Sequence, residues 1–497
     1  MSPHRATLAP PSHAGMLFPS IDFAIFLPIV FLLYWFVFRR TLQLQNAFVL
    51  FASAVFYGWW DWRYLGLVFI SAATDYVAAI AMDRTEHAGR RKALLVVSLV
   101  VNLGMLGFFK YYNFFVDSFN NAFTLFGQEL GLSTLSIVLP VGISFYTFQT
   151  LSYTIDVYRK QMKASHDPVA FGAFILFFPQ LVAGPIERAS NLLPQFQVPR
   201  TFDETKARDG MRQMLWGLFK KVVIADNCAM YADMVWADPA LHYGSAFWVA
   251  LLMFTFQIYA DFSGYSDIAI GSSRLFGFDL KRNFNFPFFS RDVGEFWRRW
   301  HISLNTWFRD YLYLPLGGSK GGKWMVARNV AAIFLVSGLW HGANWTFVAW
   351  GAMNLVLFLP SILFGNHRKF TGPLAPGRIW PTASEVFHIA TTFALIALTR
   401  VFFRSPNIEV AFNAFREMFS LSTFRAPPGT LPSHWAVMFG GAGVLLLVEW
   451  FQREQQHGLA LEGIPQRAAR WGIYCVLVGA MVLLAPNNGD SFIYFQF

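Results

Sequence analysis

The chain has 497 residues, of which 55% are hydrophobic, 18% aromatic and only 14% charged, and its formal net charge is +10. Soluble domains carry about 25% charged residues, so this composition argues against a soluble enzyme and indicates a membrane protein. The basic residues stand in short clusters between apolar runs, which is typical of membrane proteins and argues against a nucleic-acid partner.

Residues 1–15 contain several Pro, Ser and His, and we predict a disordered N-terminal extension there. One membrane domain, residues 16–497, follows it. About a dozen apolar runs recur along this domain, among them "FAIFLPIVFLLYWFVF" and "AVMFGGAGVLLLVEW". A membrane span needs roughly 20 mostly apolar residues. The sequence therefore predicts an all-α polytopic membrane protein in which some helices are short, tilted or re-entrant.

The charge pattern of the first loops predicts the orientation in the membrane. Arg39 and Arg40 follow the first apolar run, and Arg90–Lys92 follow the third, whereas the intervening loop near Asp61 is almost neutral. Basic loops remain in the cytoplasm. We therefore predict that the N-terminus lies outside and that both basic loops lie in the cytoplasm.

The stretch "YADFSGYSDIAIG" places Asp261 and Asp267 directly after an apolar run. An ionisable side chain at membrane depth is costly, so each such position is a functional hypothesis by default.

The interval from Lys281 to Arg328 predicts an amphipathic helix between Pro287 and Pro315. Its apolar face bears several tryptophans at helical spacing, and charged residues fill the opposite face. A helix of this kind lies in the membrane interface, here on the cytoplasmic side. His301 lies on or beside the apolar face, where an imidazole is unexpected.

The loop "GGSKGGKW", Gly317 to Trp324, nearly matches the phosphate-binding pattern G-x-x-x-x-G-K-[ST]. Trp324 replaces the final Ser or Thr, and no strand precedes the loop, which argues against nucleotide hydrolysis. A basic loop that meets the phosphates of a lipid or coenzyme stays open.

His341, in "SGLWHGANW", lies within a run of 39 residues, Asn329 to His367, that contains no Asp, Glu, Lys or Arg. One straight helix of that length would reach about 58 Å, against a hydrocarbon core of about 30 Å. We therefore predict a helix break at Gly338 and Gly342, which places His341 beside a break inside the membrane. Burial disfavours the charged imidazolium, and a neutral imidazole can act as a general base. The alternative is a packed histidine bonded to a nearby carbonyl.

The sequence contains no H-E-x-x-H, no Cys/His cluster and no D-x-D. A metalloprotease or a metal-dependent sugar-nucleotide enzyme is therefore not indicated. Two membrane histidines without such motifs fit direct acyl transfer.

At these residues the chain resembles a known family. "FWRRWHISLNTWFRDYLYLPLGG", "SGLWHGANWTFVAWG", "FFPQLVAGPIERA" and the terminal "FIYFQF" are similar to motifs of the membrane-bound O-acyltransferase family, in its bacterial branch that acetylates exported polysaccharides such as alginate. The resemblance implies a ring of about a dozen tilted, re-entrant and interfacial helices, with a funnel from each side meeting at a histidine. It implies that His341 is catalytic and that His301 matches the family's upstream histidine.

The residues and the resemblance together suggest a leading hypothesis for the reaction, in which the partner comes from the resemblance. Acetyl-CoA would enter from the cytoplasm as acyl donor, no cofactor would be permanently bound, and no metal would be needed. His341 would act as base and His301 would orient the acyl carbonyl. Four basic residues would meet the donor's phosphates: Arg298, Arg299, Lys320 and Lys323. A periplasmic acetyltransferase- or acetylesterase-like partner would complete the modification of the polysaccharide, and the chain would lie in the bacterial inner membrane.

Two alternatives stay open. The acceptor or donor could differ, as in transfer to peptidoglycan or cellulose or in D-alanyl transfer to another envelope polymer. A transporter with gating histidines is a different class, but transporters often consist of two similar halves, which this sequence does not show.

Overall fold

The computed structural model describes residues 16–128, 130–365, 369–428, 432–486 and 492–493. The predicted extension at residues 1–15 lies outside the described residues, as do four of the six residues of "FIYFQF". Every regular element within the described ranges is helical, so the prediction of an all-α protein is confirmed.

The helices follow one another along the chain with short connections. The first ten are α1 (Ile21–Leu32), α2 (Leu42–Asp61), α3 (Leu65–Asp83), α4 (Ala88–Leu106), α5 (Tyr112–Leu125), α6 (Ile143–Tyr158), α7 (Pro168–Leu176), α8 (Ala189–Leu192), α9 (Glu204–Phe219) and α10 (Asp226–Ala237). The next nine are α11 (Gly244–Leu275), α12 (Val293–Arg299), α13 (Ile302–Phe308), α14 (Lys323–His341), α15 (Trp345–Leu363), α16 (Ala383–Arg404), α17 (Ile408–Met418), α18 (Pro432–Phe451) and α19 (Arg467–Leu484). π-helical turns occupy Leu33–Val37, Gly107–Tyr111, Lys220–Ala225 and Arg309–Tyr313.

Seven helical stretches of the described chain are long and apolar enough to cross a membrane. They are Leu42–Asp83, Ala88–Leu125, Gly244–Leu275, Trp345–Leu363, Ala383–Arg404, Pro432–Phe451 and Arg467–Leu484. Ile21–Val37 is a shorter apolar stretch, and α6, which has 16 residues, lies inside the protein with nearly all of them buried. The chain is thus a multi-pass membrane protein whose core also contains short helices, as the sequence allowed.

Helix α11 forms the centre of the molecule, with 83% of its most apolar window buried. It packs closely on α9 because glycines face each other. A Cβ added at Gly264 would lie 2.7 Å from the carbonyl oxygen of Gly217. This close approach lets the π-helical turn after α9 place two lysines against α11.

Two sets of contacts join the loop after α3 to the end of α6. Lys160, after α6, forms an ion pair with Glu86, before α4, at 2.5 Å. The guanidinium of Arg91 donates to the carbonyl oxygens of Val157 and Tyr158, both at 2.9 Å. The loop after α3 and the end of α6 therefore lie on the same face of the protein.

Candidate active site

The charge-free run folds as two helices, α14 and α15, with a break directly after His341. Gly342 is extended, with φ −165° and ψ 151°. The side chain of Asn344 accepts a hydrogen bond from the backbone N–H of Thr346 at 3.0 Å, which caps the start of α15. The predicted break is therefore present at Gly342, whereas Gly338 remains helical and serves as a contact point for α15.

The prediction of a single amphipathic helix is wrong, because the chain breaks at Trp300 and His301 and forms two helices, α12 and α13. His301 adopts a left-handed conformation, with φ 43° and ψ 56°, which costs a non-glycine residue roughly 1–2 kcal/mol. Two interactions hold this break. The N–H of Ile302 donates to the carbonyl oxygen of Asn283 at 2.8 Å, and the amide of Asn305 donates to the carbonyl oxygen of Trp300 at 2.6 Å.

The apolar face of α12 and α13 packs against protein. Trp307 stacks on Phe148 with ring centroids 3.8 Å apart and donates to its carbonyl oxygen at 2.9 Å. The charged face is also partly internal, since Glu295 is buried between Arg291 and Arg299 at 3.0 and 2.8 Å. Each helix has seven residues, too few to cross a membrane.

These two breaks bring the two predicted histidines together. The ring centroids of His301 and His341 lie 6.5 Å apart, and the residues are 1% and 5% exposed. Phe262 packs at right angles to the His301 ring at 4.7 Å. Trp340 and Trp350 each lie 5.0 Å from the His341 ring. Such a pair of imidazoles in an aromatic shell is held in one geometry.

His341 lines two separate clefts. One, of about 470 Å³, is here termed the Lys110 cleft and is lined by Lys110, Leu139, Pro140, Val141, Gly142, Ile143, Ser144, Phe145, Val182, Trp340 and His341. The other, of about 320 Å³, is termed the Arg400 cleft and is lined by Ile258, Phe296, Trp297, Trp300, His341, Trp350, Asn354, Ile396, Thr399, Arg400 and Phe403. Molecules in either cleft would therefore meet the same imidazole.

The sequence reasoning missed two cations beside the histidines. Lys110 donates to the carbonyl oxygen of Trp340 at 2.6 Å. Arg400 donates to the carbonyl oxygen of Thr255 at 3.0 Å, and its guanidinium lies 4.8 Å from the ring of Trp300. Lys110 stands alone in an apolar run, and Arg400 lies near the end of another, four residues before Arg404. An ionisable residue in a membrane segment is itself a signal of function.

The four basic residues predicted to meet phosphates lie elsewhere, because none is among the described residues that line the two clefts. Arg299 pairs with Glu295, and Arg298 donates to the carbonyl oxygen of Phe370 at 2.7 Å. Lys323 donates to the carbonyl oxygen of Leu363 at 2.7 Å. Lys320 is exposed in the glycine-rich loop.

Ser319 of the glycine-rich loop stands in a G-x-S-x-G spacing, which in hydrolases can mark a nucleophile. It is exposed, its hydroxyl lies 2.9 Å from that of Tyr313, and the segment before it is helical. The strand-to-helix turn that such a nucleophile needs is therefore lacking at this position.

Asp261 and Asp267 form buried ion pairs with the lysines of the π-helical turn after α9. Lys221 lies 3.0 Å from Asp261, and Lys220 lies 2.6 Å from Asp267. Neither carboxylate is among the residues described as lining the two His341 clefts. Their partners make a role in holding α11 against α9 the simplest interpretation.

Two buried carboxylates flank the segment that contains His301. Burial raises the pKa of Glu295, but its bonds to Arg291 and Arg299 outweigh this and bring the pKa below its ordinary value. Burial raises the pKa of Glu187 from its ordinary 4.5 to about 7, partly offset by hydrogen bonds from the backbone N–H of Lys281 and from the side chain of Asn191. Glu295 is thus an anion at neutral pH, whereas Glu187 gains or loses its proton near neutral pH.

The site is thus a pair of close, buried imidazoles in a multi-pass helical protein, and one of them, His341, lines two clefts. The model of MBOAT, the membrane-bound O-acyltransferase family, matches residues 55–397. The chain belongs to this family and is an acyltransferase.

Named relatives act on different polymers. The chain is 40% identical over 415 residues to the probable alginate O-acetylase AlgI of Pseudomonas aeruginosa, over 82% of this chain and 76% of that protein. It is 33% identical over 425 residues to the peptidoglycan O-acetyltransferase of Helicobacter pylori, over 80% and 78%. It is 31% identical over 231 residues to the teichoic acid D-alanyltransferase of Streptococcus thermophilus, over 44% and 55%.

Proposed function

We propose that this chain is a bacterial inner-membrane O-acetyltransferase that moves acetyl from cytoplasmic acetyl-CoA toward hydroxyls of an exported polysaccharide such as alginate. The observation that carries the proposal is the position of His341 on the wall of two clefts at once. Similarity to alginate O-acetylases over most of both chains supports the polysaccharide as acceptor.

In the proposed reaction the two clefts serve different substrates. The Lys110 cleft lies at the start of α6, whereas the end of α6 lies on the face that bears Arg91. Since Arg91 belongs to the basic stretch Arg90–Lys92, which is predicted to face the cytoplasm, the Lys110 cleft would admit the acceptor from outside. The donor would approach through the Arg400 cleft.

His341 acts as general base in this proposal. As the acceptor oxygen attacks the carbonyl carbon of the acetyl thioester, the imidazole takes the hydroxyl proton. The carbon–sulfur bond then breaks, and the departing thiolate takes that proton, which leaves an acetyl ester and the free thiol of CoA. His301, 6.5 Å from His341, would donate to the carbonyl oxygen and orient it.

A periplasmic acetyltransferase- or acetylesterase-like partner would receive the acetyl group or complete its transfer to the polymer. Arg298, Arg299, Lys320 and Lys323 remain proposed contacts for donor phosphates. Lys320 is exposed in a loop with four glycines, whereas Arg298 and Lys323 are exposed but donate to the carbonyl oxygens of Phe370 and Leu363.

The test replaces His341 with Ala and, separately, with Gln, and measures the acetyl content of the exported polysaccharide relative to the membrane level of each variant. We expect acetylation to fall about 10²- to 10⁴-fold, the usual contribution of a general base. His388→Ala, on α16 beside Phe370, is the matched control and should acetylate normally. Normal acetylation by well-expressed His341→Ala would contradict the proposed function.

A further inference from the structure

Helix α14 ends inside the protein, at His341, which is an unusual position for the end of a helix. The last four carbonyl groups of any helix lack partners within that helix. Away from water, each must find another donor, since a buried carbonyl without a partner is costly. The position of His341 therefore depends on what bonds these four carbonyls.

All four carbonyls at the end of α14 are bonded. The N–H of Gly342 donates to the carbonyl oxygen of Gly338 at 3.3 Å. The hydroxyl of Tyr111 donates to the carbonyl oxygen of Leu339 at 2.7 Å. The ammonium of Lys110 donates to the carbonyl oxygens of Trp340 at 2.6 Å and His341 at 3.3 Å.

Three of the four bonds thus come from two adjacent residues of another helix. Lys110 and Tyr111 lie in the π-helical turn Gly107–Tyr111, which joins α4 to α5. Neighbouring side chains of a regular α-helix point about 100° apart, and a π-helical turn alters this register and often marks a functional site. Here the turn lets both side chains reach consecutive carbonyls of α14.

The charge of Lys110 also suits this place. The carbonyl end of a helix carries a partial negative charge that favours a cation. The same ammonium lies 3.4 Å from the hydroxyl of Ser144 and 5.9 Å from the ring centroid of Trp340. Its surroundings therefore connect the helix end, the cleft wall and the aromatic shell of His341.

We propose that Lys110 and Tyr111 are positioning residues that fix the end of α14 and so hold the His341 imidazole at the junction of the two clefts. The inference rests on the proposed function, because it assigns these residues to the reaction through His341. It predicts that their loss lowers the turnover rate without weakening donor binding.

The experiment compares three variants in native membranes supplied with radiolabelled acetyl-CoA. Lys110→Met keeps the length of the side chain but removes its donors, Lys110→Arg keeps donors and charge, and Tyr111→Phe removes one hydroxyl. Lys92→Met, at an exposed lysine of α4, is the matched control. Acetyl transfer into the polymer fraction is followed against acetyl-CoA concentration and normalised to the amount of enzyme.

We expect Lys110→Met to lower kcat about 10- to 100-fold while KM for acetyl-CoA stays within about twofold, consistent with the loss that a misplacement of 1 Å can cause. Lys110→Arg should recover at least part of this loss, Tyr111→Phe should lose a few-fold, and Lys92→Met should match the unaltered protein. If Lys110→Met fails to accumulate, the result for Tyr111→Phe decides.

Three outcomes would overturn the inference. The first is an unchanged kcat in Lys110→Met or, if that variant does not accumulate, in Tyr111→Phe. The second is a loss of activity that only follows the enzyme level, and the third is a raised KM with unchanged kcat, which would make Lys110 a donor-binding group. His341→Ala separates this failure from that of the proposed function. If His341→Ala is inactive and Lys110→Met is fully active, only the positioning role is wrong.

Discussion

Replacing Gly338 with Ala tests whether the crossing of α14 and α15 sets the active-site geometry. The two helices meet through backbone at reciprocal glycines. A Cβ added at Gly338 would lie 3.0 Å from the carbonyl carbon of Phe347 and 3.3 Å from Cα of Val348, and closer still to the Phe347 carbonyl oxygen. A Cβ at Gly351 would meet the backbone of Phe334 in the same way.

The size of the effect follows from these distances. Ordinary Cβ contacts fall between 3.4 and 4 Å, and the obstacle is backbone, which cannot rotate away as a side chain can. The helices must therefore separate by about 1 Å, at a cost of roughly 1–3 kcal/mol for overpacking. His341 lies less than one turn after Gly338, so its imidazole moves with α14. Misplacement of a catalytic group by about 1 Å can cost about 10²-fold in rate.

The assay is acetyl transfer from acetyl-CoA in membranes, with thermal unfolding of the purified protein measured alongside. Gly443→Ala is the control, because this glycine lies in α18 with nothing within 4 Å of an added Cβ. That change should leave the rate unaltered and stabilise the protein by up to about 1 kcal/mol. A Gly338→Ala protein with unaltered rate and stability would refute the argument that this crossing positions His341.

Three further predictions concern charge. Glu295→Ala should destabilise the protein by about 3–5 kcal/mol in chemical denaturation, because it removes the carboxylate partner of two partly buried arginines. Glu86→Ala, at an exposed ion pair, should cause no measurable change. Equal losses of stability in the two variants would contradict the argument that burial makes the Glu295 ion pairs important. Burial raises the pKa of Glu187 from 4.5 to about 7, so its contribution to stability is present below pH 4.5 and is lost as the pH rises through 7. This amounts to about 3 kcal/mol, and unfolding of Glu187→Gln should lack that dependence; an identical pH profile would count against it. Finally, a cysteine placed at Asp61 should be labelled from outside the cell, whereas a cysteine placed at Arg90 should be labelled only after permeabilisation. Labelling of both cysteines from the same side would disprove the orientation.

The sequence by itself determined the class of the protein and its two histidines. Low charge content and recurrent apolar runs required a helical membrane protein, because only helices satisfy their own backbone along such runs in lipid. The length of the charge-free run required a break near His341, and the structure has it at Gly342. The motifs around His301 and His341 indicated the acyltransferase family, which the match over residues 55–397 confirms.

Only the tertiary structure decided how the site is built. Helical periodicity predicted one helix across His301. The bond that the N–H of Ile302 donates to the carbonyl oxygen of Asn283, and the packing of Trp307 on Phe148, stabilise a break there instead. Periodicity along one segment does not register such contacts with other elements. The same holds for Lys110, which is 231 positions before His341 and yet bonds its carbonyl oxygen. A pattern along the chain reports which face of a segment is apolar. It does not report which other segment will supply the donors for a buried helix end, because that depends on how the helices cross in three dimensions.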